Sequence, residues 1–271
     1  MVKRIVTAVV AAVALLTAPA TQADEATRYV AMGSSFAAGP GLPPRQPGTP
    51  AACGRSTKNY ASLVATKRGL ALTDVTCSGA TTANILTTGQ AGQPPQIEAV
   101  TPDTRLVTVT IGGNDVGYVS SLFAYGCQNT GGANCGQVDR NAMRAALTTV
   151  HEKIGAVIAA VRQRAPRARI LVVDYLTIVP RTPSACDGVP LTPEQLAFER
   201  EVADRLAAAT RRAARAGRAT LIPAAAVSAH HDACAAVPWT ERHATAPGRV
   251  PYHPNEAGMS AVADLVTARI R

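Results

Sequence analysis

Four short blocks of the 271-residue sequence carry residue types that could do chemistry together. The first is Met32-Gly33-Ser34-Ser35-Phe36-Ala37-Ala38-Gly39. A serine between a β-rich run and small residues can be a nucleophile at a tight turn, but on its own it is as easily a helix cap. The second is Cys77-Ser78-Gly79-Ala80-Thr81, where Gly79 lets a backbone N–H approach a ligand closely or simply makes a turn. The third, Ile111-Gly112-Gly113-Asn114-Asp115, presents the side-chain amide of Asn114, with Asp115 read as an acceptor that organises the loop. The fourth, Tyr252-His253-Pro254-Asn255, offers an imidazole base. A nucleophile, a base to take its proton and N–H donors for an oxyanion are what acyl transfer needs. Each block alone has an ordinary structural reading.

The elements that must position these residues alternate along the chain. Residues 28–32, 71–76, 105–111, 169–175 and 220–223 are rich in β-formers, and residues 58–68, 139–163, 192–216 and 255–270 have helical character. The third and fourth strand candidates are nearly continuous apolar runs, as expected of parallel strands covered on both faces. Thr192-Pro193-Glu194-Gln195 is a helix start, with threonine as cap and proline at the first helical position. The alternation predicts one three-layer α/β/α sandwich over residues 24–271. Loops rich in Gly and Pro cover residues 39–50, 112–136, 181–190 and 233–251. In open α/β sheets ligands bind beyond the carboxyl ends of the strands, where Ser35, Gly79 and Asn114 all stand.

In this order the four blocks resemble those of the SGNH (GDSL-like) hydrolase superfamily, in its secreted actinobacterial esterase and lipase form. YVAMGSSFAAGPG is similar to the first block, IGGND to the third and YHPNEAGM to the last, with Gly79 on the second-block glycine. The resemblance runs from Arg28 to the carboxyl terminus. It implies a flavodoxin-like parallel sheet of about five strands and a serine hydrolase acting on carboxylic esters. It further implies Ser35 as nucleophile and His253 as base, with an oxyanion hole from the N–H groups of Ser35 and Gly79 and the side chain of Asn114. Ester substrates, lipid first, are the expected partners, without metal or organic cofactor. An extracellular acyltransferase and a non-catalytic surface-binding module on the same fold are the alternatives.

Two positions depart from the family pattern. Position 34 is Ser rather than the usual Asp, which affects support of the turn and not the triad. Three residues before the histidine, where the family carries its acid, stands Val250. Three readings follow: the Val250 backbone carbonyl orients His253 in a Ser–His dyad, Asp232 or Glu256 reaches the ring instead, or the site is crippled. The first is the expectation.

The remaining composition bounds the setting. Lys3 and Arg4 precede an apolar run over residues 5–16 and a small-residue exit, a signal peptide over residues 1–23. No later run is long enough to span a membrane. The net charge is +9, but the arginines lie along helical faces without interleaved aromatics, so no nucleic-acid partner is expected. The expected product is a secreted monomer. Six cysteines behind a signal peptide read as three disulfides, and nearest-neighbour pairing gives Cys53–Cys77, Cys127–Cys135 and Cys186–Cys234. A zinc site would need closer cysteine spacing. His230-His231-Asp232 with His243 has poor ligand geometry and reads as loop, and Trp239 is assigned to a substrate pocket or to the core.

Overall fold

The two apolar runs in the middle of the chain form neighbouring strands buried on both faces. In the computed structural model, which describes residues 2 and 26–270, β1 (Arg28–Gly33), β2 (Ala71–Asp74), β3 (Leu106–Thr110), β4 (Arg169–Val173) and β5 (Thr220–Ile222) make one parallel sheet in the order β2-β1-β3-β4-β5. The expected signal peptide over residues 1–23 lies outside the described residues, apart from Val2. Every residue of β3 is buried, and β4 is buried from Ile170 onward. The edge strand β2 instead alternates exposed and half-buried residues. Central strands rich in Val, Ile and Leu bury both faces, and that requires a helical layer on each side.

Those layers come from the predicted helices, with ends set by local chemistry. α1 (Ser35–Ala38) is a single turn, and α2 (Tyr60–Arg68) begins where Asn59 accepts from the Ser62 N–H at 2.8 Å. α3 (Thr82–Leu86) follows β2, and α4 (Tyr118–Asn129) follows β3. α5 (Arg140–Arg164) is capped by Asp139, which accepts from the N–H groups of Asn141 and Ala142. α6 (Pro193–Ala216) starts with a Thr192–Gln195 capping box. α7 (Ala224–Val227) is short, and Asn255 caps α8 (Glu256–Thr267) by accepting from the Gly258 N–H at 3.0 Å. α5 and α6 pack together, as do α2 and α8, and helices cover both sides of the sheet.

One helix is a correction. Residues 112–136 were expected to be loop, yet α4 lies inside them with Tyr118, Leu122 and Tyr125 buried. The three disulfides are Cys53–Cys77, Cys127–Cys135 and Cys186–Cys234, and among the described residues no cysteine is free. Among the described residues no helix is long and apolar enough to cross a membrane.

The chain leaves β1 toward β2 on one side and returns to place β3 on the other. The strand order reverses between β1 and β3, which opens a crevice at their carboxyl ends. Ser35 and Asn114 lie at its two lips.

Candidate active site

β1 ends in a glycine that no other residue can replace without movement. Gly33 has φ +137°, and a Cβ there would stand 2.5 Å from the Thr110 carbonyl oxygen on β3. The Gln96 side chain holds this glycine from the other direction. Its Oε1 accepts from the Gly33 N–H at 2.7 Å, and its Nε2 donates to the Gly33 carbonyl at 3.1 Å. The chain then turns sharply at Ser34, whose N–H donates to the Thr110 carbonyl, and Ser35 begins α1. Ser34 Oγ sits 3.2 Å from the Tyr175 hydroxyl, which accepts from the Gly113 N–H at 2.9 Å. In place of the family's aspartate, Ser34 joins the first block to the third through one tyrosine.

His253 arrives from the opposite end of the chain. The segment before α8 is held by a bridge between Thr240 and Pro254, by the Glu241 N–H donating to the His253 carbonyl at 2.8 Å, and by Asn255 Nδ2 donating to the Pro238 carbonyl. These contacts bring His253 Nε2 to 2.8 Å from Ser35 Oγ, although the two residues are 218 apart in sequence. His253 and Ser35 are 6% and 7% exposed, so the pair meets solvent over a narrow front. Phe36 and Phe123 rings flank the imidazole with centroids at 5.5 and 6.1 Å.

His253 Nδ1 lies 2.8 Å from the carbonyl oxygen of Pro251, which corrects the expected acceptor, Val250. The physical reason is the backbone of Tyr252. Its φ of +60° is left-handed and reverses the chain, so the carbonyl two residues before the histidine faces the ring. The Val250 carbonyl is occupied by the His253 backbone N–H at 3.3 Å. A left-handed tyrosine costs roughly 1–2 kcal/mol and persists only where packing enforces it. Here Tyr252 is fully buried, with its ring edge-on to Phe123 at 6.0 Å.

Neither side-chain acid considered for His253 is in contact with it. Asp232 accepts from the Cys234 N–H at 2.8 Å, and Glu256 pairs with Lys58 at 3.1 Å and Arg249 at 3.3 Å. Burial in the absence of a carboxylate pulls the imidazole down to about 4, and the Pro251 carbonyl offsets only part of that. The ring is therefore neutral at neutral pH. A carbonyl can only accept, so the proton sits on Nδ1 and the Nε2 lone pair faces the Ser35 hydroxyl.

The other two blocks are cross-tied. Asn114 Nδ2 donates to the Ala80 carbonyl at 2.9 Å, which leaves its second N–H. The next residue, Asp115, accepts from the Thr82 N–H at 3.0 Å and the Thr82 hydroxyl at 2.6 Å. The loop after β3 is thereby fastened to the loop after β2, which holds Gly79 in a left-handed turn at φ +80°. Among the described residues, the N–H groups of Ser35 and Gly79 meet no acceptor.

Several residues fall elsewhere. His231 stacks on Trp239 at 4.0 Å with its Nδ1 against the Val237 carbonyl, while His243 lies beside Tyr252. Among the described residues no group of three or more His, Cys, Asp or Glu could hold a metal. Gln96, Tyr175 and Pro251 all support the site and were not singled out in the sequence. No motif marks them, because each acts through a contact between segments distant in sequence or through a backbone atom.

The sequence profile of the GDSL-like lipase/acylhydrolase family matches residues 31–261. Lipase 2 of Streptomyces coelicolor is 36% identical over 287 residues, spanning 97% of this chain and 95% of that protein. Two solved structures share the fold at a TM-score of 0.69. The extracellular lipase of Streptomyces rimosus is 27% identical, with 90% of this chain and 99% of that one covered. The phospholipase A1 of Streptomyces albidoflavus NA297 is 25% identical, with 90% and 98% covered.

Proposed function

We propose, from the premise that this chain belongs to the GDSL-like lipase/acylhydrolase family and is a carboxylic ester hydrolase, that it works through a Ser35–His253 dyad. The observation that carries this reading is the 2.8 Å approach of Ser35 Oγ to His253 Nε2. In the reaction, Nε2 takes the Ser35 proton as Oγ attacks the ester carbonyl. The resulting imidazolium returns that proton to the leaving alcohol, and water repeats the sequence on the acyl-enzyme. The Pro251 carbonyl fixes the tautomer and ring orientation. The N–H groups of Ser35 and Gly79 and the second N–H of Asn114 receive the oxyanion, where one such donor is worth about 10²–10³ in kcat.

Lipid esters are the substrate class we assign, since the similar Streptomyces proteins are lipases and a phospholipase A1. We also assign the chain to the outside of the cell, with residues 1–23 as its signal peptide. The three disulfides support this, because such bonds persist in oxidising compartments. The test is hydrolysis of p-nitrophenyl esters from acetate to palmitate by wild type and Ser35→Ala. Turnover should fall by at least about 10³-fold in the variant on every ester, and an optimum at long chains supports lipid substrates. Wild-type turnover by Ser35→Ala would exclude the dyad.

A further inference from the structure

An oxyanion donor on the backbone has no side chain to aim it, so the turn that carries it sets its direction. For Gly79, the Ala80 N–H donates to the Cys77 carbonyl at 3.1 Å and closes a β-turn with Ser78 and Gly79 at its centre. Gly79 has φ +80° and Ser78 is not left-handed, so the turn is of type II. Type I differs from it by opposed changes of ψ at the first central residue and φ at the second, which amount to a half-rotation of the peptide between them. Here that planar unit holds the Ser78 carbonyl and the Gly79 N–H, which point in opposite directions. A flip of this one peptide would reverse both.

One side chain grips it. Gln90 Nε2 donates to the Ser78 carbonyl at 2.7 Å, and the same nitrogen stands 3.5 Å from where a Gly79 Cβ would lie. The amide keeps this bond although its own Oε1 is buried with no partner among the described residues. Gln90 is fixed in turn by its backbone. Residues 90 and 93 exchange N–H···O bonds, both at 2.9 Å, around Ala91 at φ +53° and Gly92 at φ +74°. Two left-handed central residues make a type I′ turn, and a left-handed alanine persists only where its surroundings enforce it. Gly89 permits the close approach, since a Cβ there would collide with the Gln93 carbonyl oxygen. Pro94 and Pro95 then lead to Gln96, the clamp on Gly33.

We propose that Gln90 is a positioning residue for the oxyanion hole, holding the Ser78–Gly79 peptide so that the Gly79 N–H stays turned away from Gln90 and open to the oxyanion. The ends of the turn are already tied. The Ser78 N–H and hydroxyl donate to the Cys53 carbonyl at 3.0 and 2.9 Å, and Asn114 Nδ2 donates to the Ala80 carbonyl at 2.9 Å. The central peptide is the part left to rotate, and Gln90 is the side chain that stops it.

This inference rests on Gly79 as an oxyanion donor to the Ser35–His253 dyad. Gln90→Met removes the gripping donor. Gln90→Glu keeps the shape, but its carboxylate only accepts, so it repels the Ser78 carbonyl and draws the Gly79 N–H toward itself. The test is kcat and KM for a soluble short-chain ester, with the Ki of a trifluoromethyl ketone whose Ser35 adduct carries an oxyanion, on wild type, both variants and Ser35→Ala. Gln90→Met should lower kcat about 10-fold or more with KM within about threefold, and should weaken the ketone by a similar factor. Gln90→Glu should lose more than Gln90→Met at about pH 8 and recover toward wild type at about pH 4.5, where a protonated carboxyl can donate to the Ser78 carbonyl. Should Gln90→Met fail to fold, the near-isosteric Gln90→Glu carries the test alone. Wild-type kcat in the variants, a loss confined to KM, or a Gln90→Glu deficit equal at both pH values overturns the proposal. Turnover by Ser35→Ala would instead defeat the underlying dyad.

Discussion

A dyad supported by a carbonyl differs from a triad in one measurable respect. A carboxylate stabilises imidazolium and raises its pKa, whereas the Pro251 carbonyl leaves His253 near 4. In the proposed dyad the active form is the neutral ring, so activity should be present above that value and lost below it. The acid limb of kcat/KM should have its midpoint close to pH of about 4, well below the ordinary histidine range near 6.5. A midpoint at or above 6.5 in the pH profile would show that a carboxylate reaches the ring in solution. At this scale much of the site was legible, because Ser35, Gly79, Asn114 and His253 stand in blocks of distinctive residue types. Val250 was the wrong acceptor because spacing locates a side chain, and the acceptor here is a backbone atom. Its place depends on the left-handed Tyr252, and nothing in the residue type of a tyrosine announces φ +60°.

Elements position these residues through contacts between loops. The clearest case is Gln96, whose amide takes both the donor and the acceptor of Gly33 just before the turn into Ser35. Gln96→Leu would leave the Gly33 N–H without its Gln96 acceptor, at about 1–3 kcal/mol, while the Gly33 carbonyl keeps the Cys77 N–H at 3.0 Å. The expected result is a lower unfolding midpoint and a kcat decrease larger than any KM change, read by thermal denaturation and steady-state kinetics. Wild-type kinetics with unchanged stability would show that the clamp is incidental. All five strands and the helices α2, α5, α6 and α8 could be read from composition and periodicity, most clearly β3 and β4, where burial on both faces leaves long apolar runs. α4 could not. Its buried positions Tyr118, Leu122 and Tyr125 have helical spacing, but Gly117, Gly126 and Gly131 interrupt or flank them. Gly126 has a packing role, since a Cβ there would collide with the His243 ring. A residue that signals a helix breaker in sequence serves here to let another segment approach.

At the scale of the whole molecule, the sheet places the Ser35–His253 pair where strand order reverses, and the disulfides fasten the loops around it. Cys53–Cys77 ends two residues before Gly79, and Cys186–Cys234 joins the segment after β4 to the one leading toward His253. The bridged residues are 48 apart in Cys186–Cys234 and 8 apart in Cys127–Cys135. Loop-closure entropy then predicts that removing the longer bridge costs about 1.5 kcal/mol more than removing the shorter. Chemical denaturation of the Cys186→Ala/Cys234→Ala and Cys127→Ala/Cys135→Ala variants measures the difference. Equal losses would mean that local packing, and not chain entropy, dominates.

The same three bridges have a consequence for biosynthesis. None encloses or crosses another, since each cysteine joins its next neighbour along the chain. Read from the amino terminus, every bridge can close before either cysteine of the following one has emerged. A chain emerging in order therefore meets its correct partner first at each step, and correct oxidation needs no later reshuffling. Refolding from a fully reduced, complete chain lacks that ordering: all six thiols compete at once, among the 15 possible pairings. The sequence order of the cysteines thus serves as a timetable that is available only while the chain emerges, amino terminus first, into an oxidising compartment.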